Sequence, residues 1–97
     1  MTEESGGQAR LQAFVCGVVQ GVGYRYFALS TALKLGITGW VRNLPDGSVQ
    51  VVAEGPQEAL EMWLNDLKKG PYSGRVDEVR FSWFPSRGEF DRFEVRF

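Results

Sequence analysis

The stretch Gly17-Val18-Val19-Gln20-Gly21-Val22-Gly23-Tyr24-Arg25 is where residue types and spacing first point to chemistry. It joins an apolar, β-branched segment to a helical one through a loop short enough to curl, so that main-chain N–H groups can converge. Gly21 and Gly23 permit φ values that other residues avoid, and the following helix adds unpaired N–H groups and a positive dipole end. Such a loop suits a phosphate-sized anion, and Arg25 adds a bidentate fork for the same anion. The spacing also fits a plain tight turn at the two glycines, with Arg25 as a solvated first-turn arginine. Better-known phosphate loops do not fit. A G-x-x-x-x-G-K-[ST] pattern counted from Gly17 meets Val22 where its second glycine belongs, and Gly23 is not followed by lysine. A dinucleotide loop needs a third glycine where Tyr26 stands. Cys16 and Arg25 are too far apart for a cysteine-phosphatase loop, and Cys16 reads as a small buried apolar residue.

Two absences narrow the chemistry further. The 97 residues include no histidine and one cysteine. Nucleophile systems of the Ser/His/Asp or Cys/His kind, phosphohistidine, His-ligated zinc and Cys-rich zinc are therefore excluded within this chain. No metal site and no cofactor are expected. A lone cysteine forms no internal disulfide, which fits a reducing cytoplasm. The chain is 43% hydrophobic and 24% charged, values of an ordinary globular domain, with room for one core. Its 11 basic and 12 acidic residues leave a net charge of −1, so no global field draws nucleic acid. The start, MTEESGGQAR, is acidic and polar rather than basic and then apolar, and no apolar run approaches the roughly 20 residues of a membrane span. A cytoplasmic protein without membrane or nucleic-acid partners, and monomeric, is the expectation.

Around the loop the pattern predicts the elements that must hold it. Residues 1–9 lack apolar periodicity and contain Gly6-Gly7, which predicts a disordered tail before a domain starting at Arg10. Leu11 to Val19 reads as a central strand. Tyr24 to Leu35 repeats Ala28, Ala32 and Leu35 at helical spacing up to a stop at Gly36, with Leu29 and Leu33 expected to be partly buried. Ile37 to Leu44 and Ser48 to Glu54 form a hairpin across Pro45-Asp46-Gly47, and Val49, Val51 and Ala53 share its core face. Gly55-Pro56 opens a second helix with a stripe of Leu60, Trp63, Leu64 and Leu67, closed by Gly70-Pro71. Val79, Phe81 and Trp83 alternate, as do Phe93, Val95 and Phe97, giving two final strands. The order is β-α-β-β-α-β plus a short C-terminal strand. It defines an α+β fold of ferredoxin-like type, a split β-α-β sandwich with two helices on one face of an antiparallel sheet.

The loop then carries a specific resemblance. Gly17 to Arg25 resembles the signature G-x-V-Q-G-V-G-[FY]-R of the acylphosphatase family. Gly39-Trp40-Val41-Arg42-Asn43, followed by Asp46-Gly47-Ser48-Val49, resembles its second signature, G-W-V-x-N with D-G-x-V. The likeness runs from about Arg10 to Phe97, including Glu54-Gly55-Pro56 and the ending Glu94-Val95-Arg96-Phe97. Val18 departs from it, standing where many members carry arginine. The resemblance implies metal-free hydrolysis of the carboxyl-phosphate bond of acyl phosphates. It implies Arg25 as the phosphate-binding arginine, Asn43 as the residue that positions water, and Gln20, Gly21, Val22, Gly23 and Tyr24 as a backbone cradle. Inorganic phosphate or sulfate should then compete with the small-molecule acyl phosphate substrate.

Without the resemblance, Asn43 near Pro45-Asp46-Gly47 is an ordinary turn residue. Trp40 and Trp63 read as packing residues, and Lys68-Lys69 as a solvated helix end complementing the dipole. A non-catalytic phosphate-binding or RNA-binding module shares the topology. Arg87-Gly88-Glu89-Phe90 opens like an RNA-recognition signature, but Asp91-Arg92-Phe93 does not continue it.

Overall fold

A computed structural model describes residues 7–97. The elements are β1 (Gln8–Val18), α1 (Tyr24–Leu35), β2 (Thr38–Asn43), β3 (Val49–Pro56), α2 (Gln57–Lys69), β4 (Arg75–Pro85) and β5 (Phe93–Arg96). Most of the expected tail lies outside the described residues. Gln8 and Ala9, however, belong to the sheet: Gln8 pairs with Pro56, and Ala9 lies between Gly55 and Pro85 with its side chain buried. Ala9 continues the period of two set by Leu11, Ala13 and Val15, and a single methyl group adds little to an apolar pattern. The carbonyl of Gly7 accepts the N–H of Gln57 at 2.9 Å, which fixes the start of α2 to the start of β1.

The sheet runs β4-β1-β3-β2-β5. β4, β1, β3 and β2 pair antiparallel with one another in that order, as the ferredoxin-like order requires, and β5 joins parallel to β2 at the far edge. The sheet is therefore mixed, because the chain leaves β4 at one edge and crosses to the other before β5. Leu11, Ala13 and Val15 of β1 stand beside Ala53, Val51 and Val49 of β3, and both helices cover this face. Trp63 is fully buried between the helices. Its Nε1 donates to the Ala28 carbonyl at 3.2 Å and the Thr31 hydroxyl at 3.0 Å, and its ring meets Phe93 edge-on at 5.4 Å.

The stripe of α2 is buried as its spacing predicts. In α1 the buried set is Tyr24, Ala28 and Ala32, one residue every four, whose small alanines admit close packing. Leu29 packs partly against the core, but Leu33 is 62% exposed, contrary to expectation, since it lies outside that narrow stripe. Phe81 and Trp83 face the helix side from the edge strand β4, and they remain 41% and 36% exposed because no further strand covers them.

The open face of the sheet holds one buried charge. Glu54 is 4% exposed and gathers the segment between β4 and β5. Its carboxylate accepts from the N–H groups of Arg87 (2.9 Å), Gly88 (2.9 Å) and Glu89 (3.4 Å), the Ser86 hydroxyl (3.1 Å) and Arg10 Nη1 (2.7 Å). Burial pushes this carboxyl up, but the Arg87 N–H, the Arg10 guanidinium, the Gly88 N–H and the Ser86 hydroxyl outweigh it and hold it at about 2 instead of 4.5. Between those values the unfolded chain binds a proton at Glu54 that the folded chain does not. Stability from this group is thus complete above pH 4.5 and is lost as the pH falls toward 2. Calorimetric unfolding should show Glu54 contributing up to about 1.4 kcal/mol per pH unit across that window, and Glu54→Gln should remove this contribution. Equal acid sensitivity of the two proteins would refute the assignment.

Candidate active site

The loop between β1 and α1 is shaped by two left-handed residues. Gly21 has φ 75° and Gly23 φ 79°. A Cβ at either would meet no atom within 4 Å, so the glycines are needed for backbone conformation and not for space. Gly23 is also the N-cap of α1 and brings no capping side chain. The first helical bond runs from the Phe27 N–H to the Gly23 carbonyl at 3.0 Å, so the N–H groups of Tyr24, Arg25 and Tyr26 have no helical acceptor. They stand at the positive end of the helix dipole.

This turn forms one wall of a cleft of about 160 Å³ lined by Val19, Gly21, Gly23, Tyr24, Arg25, Tyr26 and Asn43. Two sequence motifs separated by a helix thus meet in one cavity. The Tyr24 side chain points away, into the core, where its hydroxyl donates to the Leu67 carbonyl at 2.7 Å and burial raises its pKa. Its contribution to the cleft is main chain. Val22 packs against the core, and its carbonyl accepts from the Ser73 hydroxyl at 2.8 Å. Gln20 and Val22 belong to the loop but do not line the cleft.

Arg25 is held from the opposite side. Its Nη1 donates to the Arg96 carbonyl at 3.2 Å, and its guanidinium lies 4.6 Å from the centre of the Phe97 ring. Among the described residues it forms no ion pair, so the positive charge at the cleft is not cancelled by a carboxylate. Asn43, the last residue of β2, has its Oδ1 buried and without a hydrogen-bond partner among the described residues. A buried amide oxygen with open accepting capacity is suited to receive a donor brought in by a ligand or a water molecule.

Three contributors were not legible as such in the sequence. The Gln20 amide donates from Nε2 to the carbonyls of Leu44 at 2.8 Å and Ser48 at 2.9 Å, tying the loop to the hairpin that carries Asn43. The Arg96 carbonyl and the Phe97 ring hold Arg25. A main-chain carbonyl has no sequence signature, and the Gln20 contact spans 24 residues. Trp40, read as a packing residue, lies on the sheet between Arg42 and Arg96, whose guanidinium groups stand 5.1 and 4.7 Å from its ring centre.

Two helices on a five-stranded sheet, with main-chain N–H groups and the Arg25 guanidinium, unpaired with any carboxylate among the described residues, lining one cleft, define a small ferredoxin-like domain. The family model described as acylphosphatase matches residues 11–95. An acylphosphatase of Thermus thermophilus is 57% identical over 81% of this chain and 90% of its own, and one of Syntrophotalea carbinolica 51% identical over 91% and 96%. The crystal structure of acylphosphatase from Bacillus subtilis superposes with a TM-score of 0.89 at 35% identity, covering 92% of this chain and 99% of that one. The chain belongs to the acylphosphatase family.

Replacing Gln20 by alanine should remove two hydrogen bonds to hairpin carbonyls, which keep the N–H groups of Gly47 and Leu44, and release the loop from Asn43. Urea unfolding should report a loss of about 1–3 kcal/mol. The turnover number should fall with it, and wild-type stability and turnover in Gln20→Ala would show that the tie is dispensable.

Proposed function

We propose that this protein hydrolyses the carboxyl-phosphate bond of acyl phosphates to a carboxylate and inorganic phosphate, with Arg25 and Asn43 as its catalytic residues. The observation that carries the assignment is the convergence of Arg25, the unpaired N–H groups of α1 and the unpartnered Asn43 Oδ1 on one cleft. Family membership supports the reaction class. In this reading the phosphoryl oxygens sit against the main-chain groups of Gly21, Gly23 and Tyr24, the cradle residues that line the cleft, and the Arg25 fork, which counter the equatorial charge of the transition state. Water donates one hydrogen bond to Asn43 Oδ1, which orients its lone pair toward phosphorus. A bond forms from the water oxygen to phosphorus as the bond to the acyl oxygen breaks, and the carboxylate departs with the electron pair. The water proton passes to a phosphate oxygen of the substrate.

The leaving carboxylate has a conjugate acid with a pKa of about 4–5, like a side-chain carboxyl, so no general acid is required at neutral pH. Histidine is thereby dispensable. A metal-free route is supported by the ligand inventory: the sequence has no histidine, and among the described residues no three Cys, Asp or Glu side chains are grouped to hold a metal ion. The proposal extends to a monomer acting in the cytoplasm on a small-molecule substrate, without nucleic-acid or membrane partners. A net charge of −1 supports the absence of a nucleic-acid partner. No helix among the described residues is long and apolar enough to cross a membrane.

Benzoyl phosphate turnover by the purified protein, with and without EDTA, tests the reaction, and the rate should be the same in both. A rate abolished by EDTA and restored by a divalent ion would overturn the metal-free route. Arg25→Ala should retain less than about a tenth of the activity, a loss above roughly 1.4 kcal/mol, and Arg25→Lys should rescue poorly because a point charge lacks the planar fork. Asn43→Ala should lower kcat strongly while phosphate affinity stays near wild type. Inorganic phosphate at a hundredfold excess over Kd should stabilise the wild type and Asn43→Ala by about 2.7 kcal/mol, and Arg25→Ala far less. Equal stabilisation of all three would put the anion elsewhere.

A further inference from the structure

Arg25 is held by the last two residues of the chain, so its position depends on what holds β5. That strand has four residues and one neighbour, pairing Phe93–Arg96 with Gly39–Arg42 of β2. Four residues of parallel ladder at an edge resist sliding weakly. Other contacts set the strand's entry. Phe93 is buried against Trp63, and the Arg92 carbonyl accepts the Gly39 N–H at 3.0 Å. Immediately upstream, the segment Ser86–Glu89 is gathered on the Glu54 carboxylate by three N–H groups and a hydroxyl. Arg10 spans the same assembly, donating to Glu54 at 2.7 Å and Glu89 at 2.8 Å, with its guanidinium 5.1 Å from the Phe90 ring centre. The Glu54 carboxylate is thus the fixed point from which the chain is measured out to Arg96 and Phe97.

We infer that Glu54 is a positioning residue for Arg25, acting through the Ser86–Glu89 segment and β5 from the opposite face of the sheet. The inference rests on the proposed role of Arg25 in binding phosphate. Glutamate is specific here because five donors converge on its two oxygens. A glutamine offers one carbonyl oxygen and turns an NH2 group toward N–H donors, so the segment must shift. When β5 moves with it, the Arg96 carbonyl and the Phe97 ring no longer meet Arg25 in its binding orientation. The fraction of molecules ready to take the anion falls, and the apparent affinity falls by that fraction.

The test is the affinity for inorganic phosphate, measured by titration calorimetry on the full chain, in Glu54→Gln, Phe97→Ala, the double variant and Arg25→Ala. Glu54→Gln should raise the phosphate Kd and the benzoyl phosphate KM together by about 5- to 20-fold, a larger change than in kcat. Since both single variants act on the same hold, the double variant should bind within about 2-fold of the weaker single one. Unchanged phosphate affinity in folded Glu54→Gln, or effects that multiply in the double variant, would overturn the inference. Arg25→Ala separates it from its foundation: unchanged affinity there removes phosphate from Arg25 and overturns both. Should Glu54→Gln not fold, Ser86→Ala carries the same cycle with an expected effect of about 2- to 3-fold, and its absence would equally overturn the inference.

Discussion

The proposed anion site, made from main-chain N–H groups, requires that those groups stay unpaired in the folded chain, and the surroundings of the cleft serve that requirement. Polar residues close to a helix start usually turn inward and satisfy it. Here the N-cap is Gly23, which has no side chain to do so, and the Gln20 amide is occupied by two carbonyls of the neighbouring hairpin. Ser73 takes the Val22 carbonyl from outside. These contacts use the Gln20 side-chain amide and the Val22 carbonyl and leave the main-chain N–H groups of the loop untouched. The left-handed turns at Gly21 and Gly23 give the loop a curvature that the bracing then preserves.

The same economy governs charge. Two carboxylates close to the second motif in the chain are engaged elsewhere: Asp46 accepts from both the hydroxyl and the N–H of Ser48, which hold its pKa below the usual range, and Glu54 is buried under the β4–β5 crossing. Among the described residues no acidic side chain lines the cleft. A protein with almost no net charge thereby keeps a local positive potential where the helix dipole and Arg25 coincide.

Local patterns in the sequence carried the fold a long way, for reasons visible in particular residues. The α2 stripe was legible because Leu60, Trp63, Leu64 and Leu67 repeat at helical spacing and all are buried. The hairpin was legible because Asp46 and Gly47 have conformations of their own. Alternation identified β4 as a strand, but burial depends on what lies beside a strand, and Phe81 and Trp83 are at an edge. The parallel seat of β5 beside β2 is set by a crossing of the whole sheet, which no local pattern encodes. The core face read from Val49, Val51 and Ala53 leaves Glu54 on the other side of its strand. Only the distant Ser86–Glu89 segment makes it a buried centre, and with it the hold on Arg25 through Arg96 and Phe97.

The outer border of β4 has a further consequence. Eleven residues of this strand run along the sheet with no neighbour on one side among the described residues, an open template for another extended chain. Its first half resists such an addition. Arg75, Asp77, Glu78 and Arg80 set charges along it, and the register shift opposite Cys16 and Gly17 kinks the ladder there. Its second half, Phe81-Ser82-Trp83-Phe84, carries no charge and exposes three aromatic rings before Pro85 ends the strand. The apolar exposure along this border is therefore concentrated in four consecutive residues, and a single lysine among them would guard the whole border.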